Sequence, residues 1–174
     1  MKLTLESERL ILRPWQIDDA EAMFSNWAND PEVTKYLTWN PHNNVEETKM
    51  LLSIWIEEYE KPERINCAIT IKETGQLIGG IDVVGYLDGT PVIGYCSSKS
   101  VWNNGYMTEA CKCLLHYLFS QGYKEVRIDA EVDNIASNRV IQKCGGVFQF
   151  QEIQDVPLKN KKVTINSYLV KNNL

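Results

Sequence analysis

The chain lacks any apolar run approaching the roughly 20 residues of a membrane-spanning helix, which excludes an integral membrane protein of the helical kind. No CxxC pair occurs among its five cysteines, at 67, 96, 111, 113 and 144. The odd, scattered set argues against a disulfide framework, a zinc finger or a thioredoxin-like redox motif, and for free thiols in a reducing compartment. Ten glycines and six prolines in 174 residues are too few for a collagen-like or proline-rich chain. Basic residues are also in deficit, 18 against 23 acidic, for a net charge of -5. That balance disfavours general binding to nucleic-acid phosphates, so no nucleic-acid partner is expected. The start, MKLTLESERLILRPW, sets Glu6, Glu8 and Arg9 within its apolar pattern and does not read as a signal peptide. The expectation is a cytoplasmic protein, unattached to membrane.

What is present is one domain's worth of material. At 44% hydrophobic residues the chain can bury about 70% of its unfolded surface without disulfide or metal support. No repeat or linker divides it, so residues 1–174 are expected to form a single domain. RLILRPW reads as a strand ended by Pro14. A helix is predicted from Asp18 through DAEAMFSNWAND, closed by Pro31. VEETKMLLSIWIEEY gives the clearest helix, with Leu51, Leu52, Trp55, Ile56 and Tyr59 in one apolar stripe and Lys61-Pro62 as its stop. Residues 65–98 read as a three-stranded antiparallel meander, turning at Glu73-Thr74-Gly75 and at Asp88-Gly89. MTEACKCLLHYLFSQG is a second amphipathic helix stopped by Gly122. A strand at 126–132, a short helix NIASNRVIQKCGG and the strands VFQFQEI and KVTINSYLV complete the chain. The pattern is α/β with a mixed, mostly antiparallel sheet flanked by about four helices, and one strand-helix-strand crossover at 92–132.

The most informative stretch is GYCSSKSVWNNGYMTEA. A strand runs into a polar turn at Asn103-Asn104-Gly105 and then into a helix from about Met107. Free backbone N–H groups and the positive helix end there suit phosphate oxygens, with Gly105 permitting close approach. An ordinary strand-to-helix turn is the plainer reading of the same residues. Asn134 and Ser137 sit where helix capping alone would place them. Cys111 and Cys113 are about 200° apart around a helix, which speaks against a metal pair. No metal is expected. His42 reads as a surface histidine, with a contact to substrate as the other reading, and His116 is given no role. Trp27 and Trp55 read as core, while Tyr36 and Trp39 stay open between core and an aromatic wall for a substrate.

Three pieces in order carry a family resemblance: SERLILRPW with DDAEAMFSNWANDPEV, then IGY with W-x-x-G-Y-x-T-E-A, then N-x-x-S-N-R-V-x-x-K-C-G from Asn134 to Gly145. The chain resembles the RimJ/RimL-type branch of the GNAT N-acetyltransferases over nearly its whole length. The resemblance implies the GNAT fold, acetyl-CoA as cosubstrate, and transfer of its acetyl group by direct attack of a primary amine, on a protein N-terminus or a small molecule. It places the pantetheine arm in a gap between the strand ending near Cys96–Ser98 and the strand at 126–132. The thioester then lies near Tyr95 and Cys96, with Ser97 beside them, and an oxyanion-binding N–H near Cys96. The diphosphate falls on Asn103, Asn104, Gly105, Tyr106, Met107 and Thr108. It implies Ser137 as the acid for the leaving thiolate, Asn134 as a pantetheine contact and Asn138 as a residue lining the cofactor. Met107 stands where the wider pattern has Gly or Ala, so either the helix shifts or Met107 turns into the core. Asn103 replaces a frequent Gly. Asp82, Asp129 and Glu131 are the carboxylates from which a general base could come, and none is preferred. The acceptor pocket would be built from residues 15–60 and 150–165, and a homodimer through C-terminal edge strands is possible. A non-catalytic acyl-CoA-binding module on the same fold is the alternative, and a thiol redox protein the third.

Overall fold

The computed structural model describes residues 2–61 and 63–172, so Pro62 lies outside the described residues. Eight strands form one sheet: β1 (Leu5–Glu6), β2 (Leu10–Arg13), β3 (Asn66–Ile71), β4 (Leu77–Leu87), β5 (Thr90–Ser97), β6 (Glu125–Glu131), β7 (Val147–Val156) and β8 (Lys161–Lys171). Their spatial order is β1-β2-β3-β4-β5-β6-β8-β7. Five α-helices flank it: α1 (Ala20–Met23), α2 (Pro31–Thr34), α3 (Val45–Glu57), α4 (Tyr106–Ser120) and α5 (Ile135–Lys143). The predicted mixed α/β class and the meander at β3–β5 are as the sequence implies. Asp88 (φ 48°) and Gly89 (φ 82°) supply the two left-handed residues that a tight hairpin turn needs.

Strand alternation divides the interior into two cores. Cys67, Ile69, Ile81, Val83 and Ile93 face α4 and α5, where Leu114, Leu118 and Ile141 meet them with almost no exposure. Trp15, Met23, Trp27, Leu52 and Ala68 pack on the opposite face, under α1–α3. Trp27 is therefore core, as expected, and Trp55 packs half-buried at its margin, its ring 5.5 Å from that of Trp15. No helix among the described residues is long and apolar enough to cross a membrane.

Two elements differ from the sequence reading, and a third is decided by the structure. The first helix does not start at an Asp18 cap. Asp19 accepts from the Gln16 N–H (2.8 Å), opening a short 3₁₀ turn, and the chain then widens at residues 24–28, where the Asn29 N–H reaches back five residues to Phe24 O. Pro31 opens α2 rather than closing α1. Proline is tolerated in a first helical turn, and Asp30 caps the Glu32 N–H at 2.8 Å. The strand KVTINSYLV, apolar on both faces, lies inside the sheet between β6 and β7, and β7 forms the edge with nine of its ten residues exposed.

Every neighbouring strand pair is antiparallel except β5 and β6. That parallel pairing covers only Val92↔Arg127 and Ile93↔Ile128, although β5 continues to Ser97 and β6 to Glu131. A wedge-shaped notch opens from Gly94 onward.

Burial decides which residues of the helical stripes matter. Leu114→Ala, at a fully buried position, should cost about 3 kcal/mol in urea unfolding. Met50→Ala, at a position 68% exposed on α3, should stay within about 0.5 kcal/mol of the parent.

Candidate active site

The notch is walled by backbone. The Ser98 N–H donates to Ile78 O on β4 (2.8 Å), and Cys96 and Gly94 pair with Gly80 and Asp82 of β4. Alternation then turns the main-chain groups of Tyr95 and Ser97 toward the notch. The N–H of Cys96 itself faces β4, so an oxyanion donor on this strand belongs to Tyr95 or Ser97 rather than Cys96. Ser97 O accepts from Trp102 Nε1 (3.2 Å), which ties the loop after β5 back to the strand.

At the mouth of the notch α4 begins without a side-chain cap. Gly105 stands before it at φ 78°, and the first helical bond runs from the Glu109 N–H to Gly105 O (3.1 Å). The N–H groups of Tyr106, Met107 and Thr108 therefore have no acceptor within the helix. Asn103 takes φ 64°, a left-handed conformation that Asn adopts more readily than most side chains. Asn104 folds back, its Nδ2 donating to Val101 O and Trp102 O, so its side chain shapes the loop. Met107 packs against the α4 core, which answers how a large residue fits at that position.

A clamp that the sequence reading missed holds this loop. Arg9 Nη1 donates to Asn104 O (3.1 Å), its Nε meets Glu109 Oε2 (2.7 Å), and its guanidinium lies 4.4 Å from the centre of the Tyr106 ring. Glu109 also accepts from the Ser7 hydroxyl and the Arg9 N–H, both at 2.7 Å. Burial alone would lift the Glu109 carboxyl, but these donors outweigh it and hold the group below its ordinary value. The signal was present in the SERL and TEA pieces, whose residues lie about 100 positions apart.

On the other wall, α5 begins at the Asn134 cap, whose Oδ1 accepts from the Ser137 N–H (3.1 Å). The Tyr95 hydroxyl reaches from β5 to the Ser137 hydroxyl at 3.0 Å and lies 3.4 Å from Ser137 O. Burial raises the Tyr95 pKa strongly, so it stays a neutral phenol that can order the serine. Asn138 is buried and fully engaged within the protein. Its Nδ2 donates to Glu131 O and Asn134 O, and its Oδ1 accepts from Asn166 Nδ2 (2.8 Å) and the Tyr168 hydroxyl (2.7 Å). Its side chain has a structural part rather than an opening toward a ligand.

Burial and pairing separate the three candidate carboxylates. Arg127 Nε holds both oxygens of Asp129 (2.8 and 2.9 Å), and Lys161 pairs with Glu131 at 3.2 Å. Asp82, its side chain 22% exposed, has only Arg64 at 3.7 Å, and burial pushes its carboxyl up to about 7. All five cysteines are free. Cys96 points to the α1–α3 core, and burial pushes its thiol up to about 12, a poor nucleophile at neutral pH. Cys111 and Cys144 are buried in the core at α4 and α5, where Cys144 Sγ donates to Thr108 O (3.7 Å), and no metal-binding group is found among the described residues.

Beyond the start of α5, three segments converge. The Tyr36 hydroxyl donates to Asp133 O (3.1 Å), Asn40 Nδ2 to Leu158 O (2.8 Å), and Lys159 Nζ to Thr34 O and Lys35 O. The loop after α2 is thereby fastened to both the β6–α5 loop and the β7–β8 hairpin. Tyr36 thus stands at this junction. Trp39 stacks near His42, which is half-buried rather than on the surface and hydrogen-bonds through Nδ1 with Thr48 Oγ1 (2.7 Å).

Comparison with known proteins agrees with this geometry. The family model described as "Acetyltransferase (GNAT) domain" matches residues 9–147. The chain is 32% identical over 144 residues to the uncharacterized N-acetyltransferase YoaA of Bacillus subtilis (strain 168), with 81% of each chain covered. It is 29% identical over 141 residues to the uncharacterized N-acetyltransferase p20 of Bacillus licheniformis, covering 79% of each. Among solved structures, a GNAT-family acetyltransferase from Bacillus anthracis superposes with a TM-score of 0.84 at 22% identity, covering 97% and 98% of the two chains. The microcin C7 self-immunity acetyltransferase MccE, solved in complex with acetyl-CoA and AMP, has a TM-score of 0.84 at 19% identity, covering 95% and 94%.

The Asp82 environment predicts a pH signature in stability. Its folded pKa near 7 lies above the ordinary 3.8, so the folded state binds the proton more tightly. The stabilising contribution is complete below about pH 4 and is lost as pH rises through 7. Asp82→Asn cannot ionise. Its stability relative to the parent should therefore improve by about 2 kcal/mol between pH 5 and pH 8 in urea unfolding.

Proposed function

Because the chain belongs to the GNAT acetyltransferase family and is an acetyltransferase, we propose that it moves the acetyl group of acetyl-CoA to a primary amine by direct attack. The observation that carries this reading is the notch, where β5 and β6 part after Ile93 beside an uncapped α4. The amide-bearing pantetheine arm would pair with the notch-facing backbone of Tyr95 and Ser97, which otherwise present donors and acceptors without a strand partner. The diphosphate would rest on the amides from Asn103 to Thr108, through Asn104, Gly105, Tyr106 and Met107, with the Arg9 guanidinium adding positive charge. Asn134, whose Oδ1 already caps α5, would offer its Nδ2 to the arm.

The thioester would lie at Tyr95 and Cys96, where the N–H of Tyr95 or Ser97 meets the developing oxyanion. As the carbon–sulfur bond breaks, the Ser137 hydroxyl would give a proton to the sulfur and regain one from the solvent that receives the amine's protons, while the neutral Tyr95 hydroxyl fixes its rotor. An acyl-cysteine route is disfavoured, since Cys96 is held as a neutral thiol directed to the other face. The acceptor is a protein N-terminal amine or a small amine entering beside Tyr36, Asp133 and the β7–β8 tip. Five free cysteines fit a cytoplasmic setting.

Ser137→Ala should lower kcat about 100-fold while the KM for acetyl-CoA and its calorimetric Kd stay within a factor of three. The measurement is thiol release across a panel of peptide N-termini, polyamines and aminoglycosides. Binding of acetyl-CoA by the parent with no release for any amine would favour a non-catalytic acyl-CoA-binding module instead.

The β7 edge supports pairing of two copies in solution. Val147, Phe148, Phe150 and Ile153 are exposed along it, Ile153 at 73%, beside an unpaired strand backbone. Ile153→Lys should convert a dimer to a monomer in light scattering without lowering the melting temperature.

A further inference from the structure

Resting on the transferase reading above, we propose that residues 31–36 form a strap across the far end of the notch, and that this strap limits the acceptor to a small, unbranched primary amine and excludes protein N-termini. The strap joins the two strands that the notch separates. Beyond the last β5–β6 pair, β5 runs on to Ser97 and into Lys99, and β6 runs on to Glu131 and into Asp133. Lys99 Nζ pairs with the Glu32 carboxylate, and Asp133 O accepts from the Tyr36 hydroxyl (3.1 Å). Glu32 and Tyr36 are about one helical turn apart, so α2 and the residues after it bridge the ends of both walls. Val33 belongs to the α1–α3 core, so the strap lies on the sheet face opposite α4 and α5. A cofactor with its diphosphate at the start of α4 would enter from the α4–α5 side, which leaves the strapped side to the amine.

The strap is fastened on most sides. Asp30 O accepts from the Thr34 N–H (3.0 Å) and hydroxyl (3.1 Å), and Thr34 is buried. Lys159, from the tip between β7 and β8, donates through Nζ to Thr34 O and to Lys35 O (3.2 Å). Asn40 Nδ2 donates to Leu158 O of the same tip (2.8 Å). Tyr36, Asn40 and Lys159 thus spend donors on main-chain carbonyls of the rim itself. Such side chains are what a groove would otherwise use to hold the main chain of a peptide. The Glu32–Lys99 pair differs. Its side chains are 64% and 50% exposed, and an exposed ion pair parts at little cost. The rim therefore yields there first, by the width of one side chain, and the freed Glu32 carboxylate meets the incoming ammonium.

That width decides the substrate class. A peptide advances about 3.3 Å per residue, so bringing its terminal nitrogen to the thioester takes about two or three residues under the strap, with their carbonyls and side chains. The main-chain groups of such a segment would lose water and find the donors of Tyr36, Asn40 and Lys159 already taken, which is costly for each group left unpaired. An alkylamine or a polyamine carries its reacting nitrogen on a bare methylene chain, with no carbonyl to satisfy and no branch to pass. The same ties therefore reject one acceptor class and admit the other.

The test compares kcat/KM for n-butylamine and spermidine with that for trialanine amide, at saturating acetyl-CoA, in the parent and in the double variant Tyr36→Phe/Lys159→Met. The parent should prefer the better small amine by about tenfold or more. The double variant should cut that preference about tenfold, through a lower KM for the peptide, and keep its acetyl-CoA Kd within about threefold. A smaller preference in the parent, or a preference for the peptide, overturns the assignment and leaves the transferase reading intact. So does a folded double variant whose preference matches the parent's. A parent that turns over no amine overturns the transferase reading, and this assignment with it. Should the double variant fail to fold, Tyr36→Phe alone, which removes one hydroxyl, carries the comparison. A preference narrowed by about threefold supports the strap, and an unaltered one overturns it.

Discussion

The structure depends on a parallel ladder that stops after two residue pairs. Buried main-chain N–H and C=O groups are costly to leave without partners, so sheets normally keep pairing to the ends of their strands. Here β5 and β6 are held together at Val92 and Ile93 by their shared core, and are forced apart beyond it. Two features keep the notch from closing. Tyr95 spans it as a strut from β5 to Ser137, and the Asn138 knot anchors the start of α5 to β6 and β8. A separated pair of strands is a template for an extended, amide-bearing ligand.

The acidity of the chain does not conflict with an anion site at the notch mouth. Net charge acts across the whole surface, whereas helix amides act within a turn. Glu109 carries negative charge in the first turn of α4, but it faces Arg9 and Ser7 rather than the amides at the helix start. The pair fixes the N-terminal strands to the loop and leaves the guanidinium beside Asn104 and Tyr106. One ion pair thus joins residues about 100 positions apart and shapes the turn before α4.

How far the sequence discloses the molecule depends on the range of the interaction. Period-two and period-3.6 patterns are local, and the meander, α3, α4 and both glycine turns were legible from them. The resemblance supplied the notch and brought Tyr95, Ser137 and the 103–108 loop to one place. Three features escaped because they are set by distant partners. Pro31 opens a helix because Asp30 caps it and Lys159, from the β7–β8 hairpin, reaches the carbonyls at its far end. Asn138 looks like a lining residue until Tyr168 and Asn166 arrive from β8. Nothing local to Arg9 or Glu109 announces their pairing until the sheet brings the start of β2 beside α4. The three carboxylates could not be ranked because their ranking is a matter of which cations fold against them.

Strand alternation gives the site its chemical logic. Tyr95 points to the α4–α5 face and meets Ser137 there, while Cys96 and Gly94 belong to the α1–α3 face, where Asp82 lies. The Tyr95–Ser137 hydroxyl pair and the Asp82 carboxylate thereby stand on opposite faces of the sheet. A carboxylate near the serine would hydrogen-bond to its hydroxyl and pull the proton away from sulfur. A phenol beside the acidic group would offer no proton acceptor at neutral pH. The one-residue offset between Gly94 and Tyr95 separates the two environments, because neighbouring side chains on a strand point apart. A one-residue slip of β5 against β4 would exchange the faces and put Tyr95 against the tryptophan core, so the register that forms the hydrophobic interior also decides that Tyr95 meets Ser137.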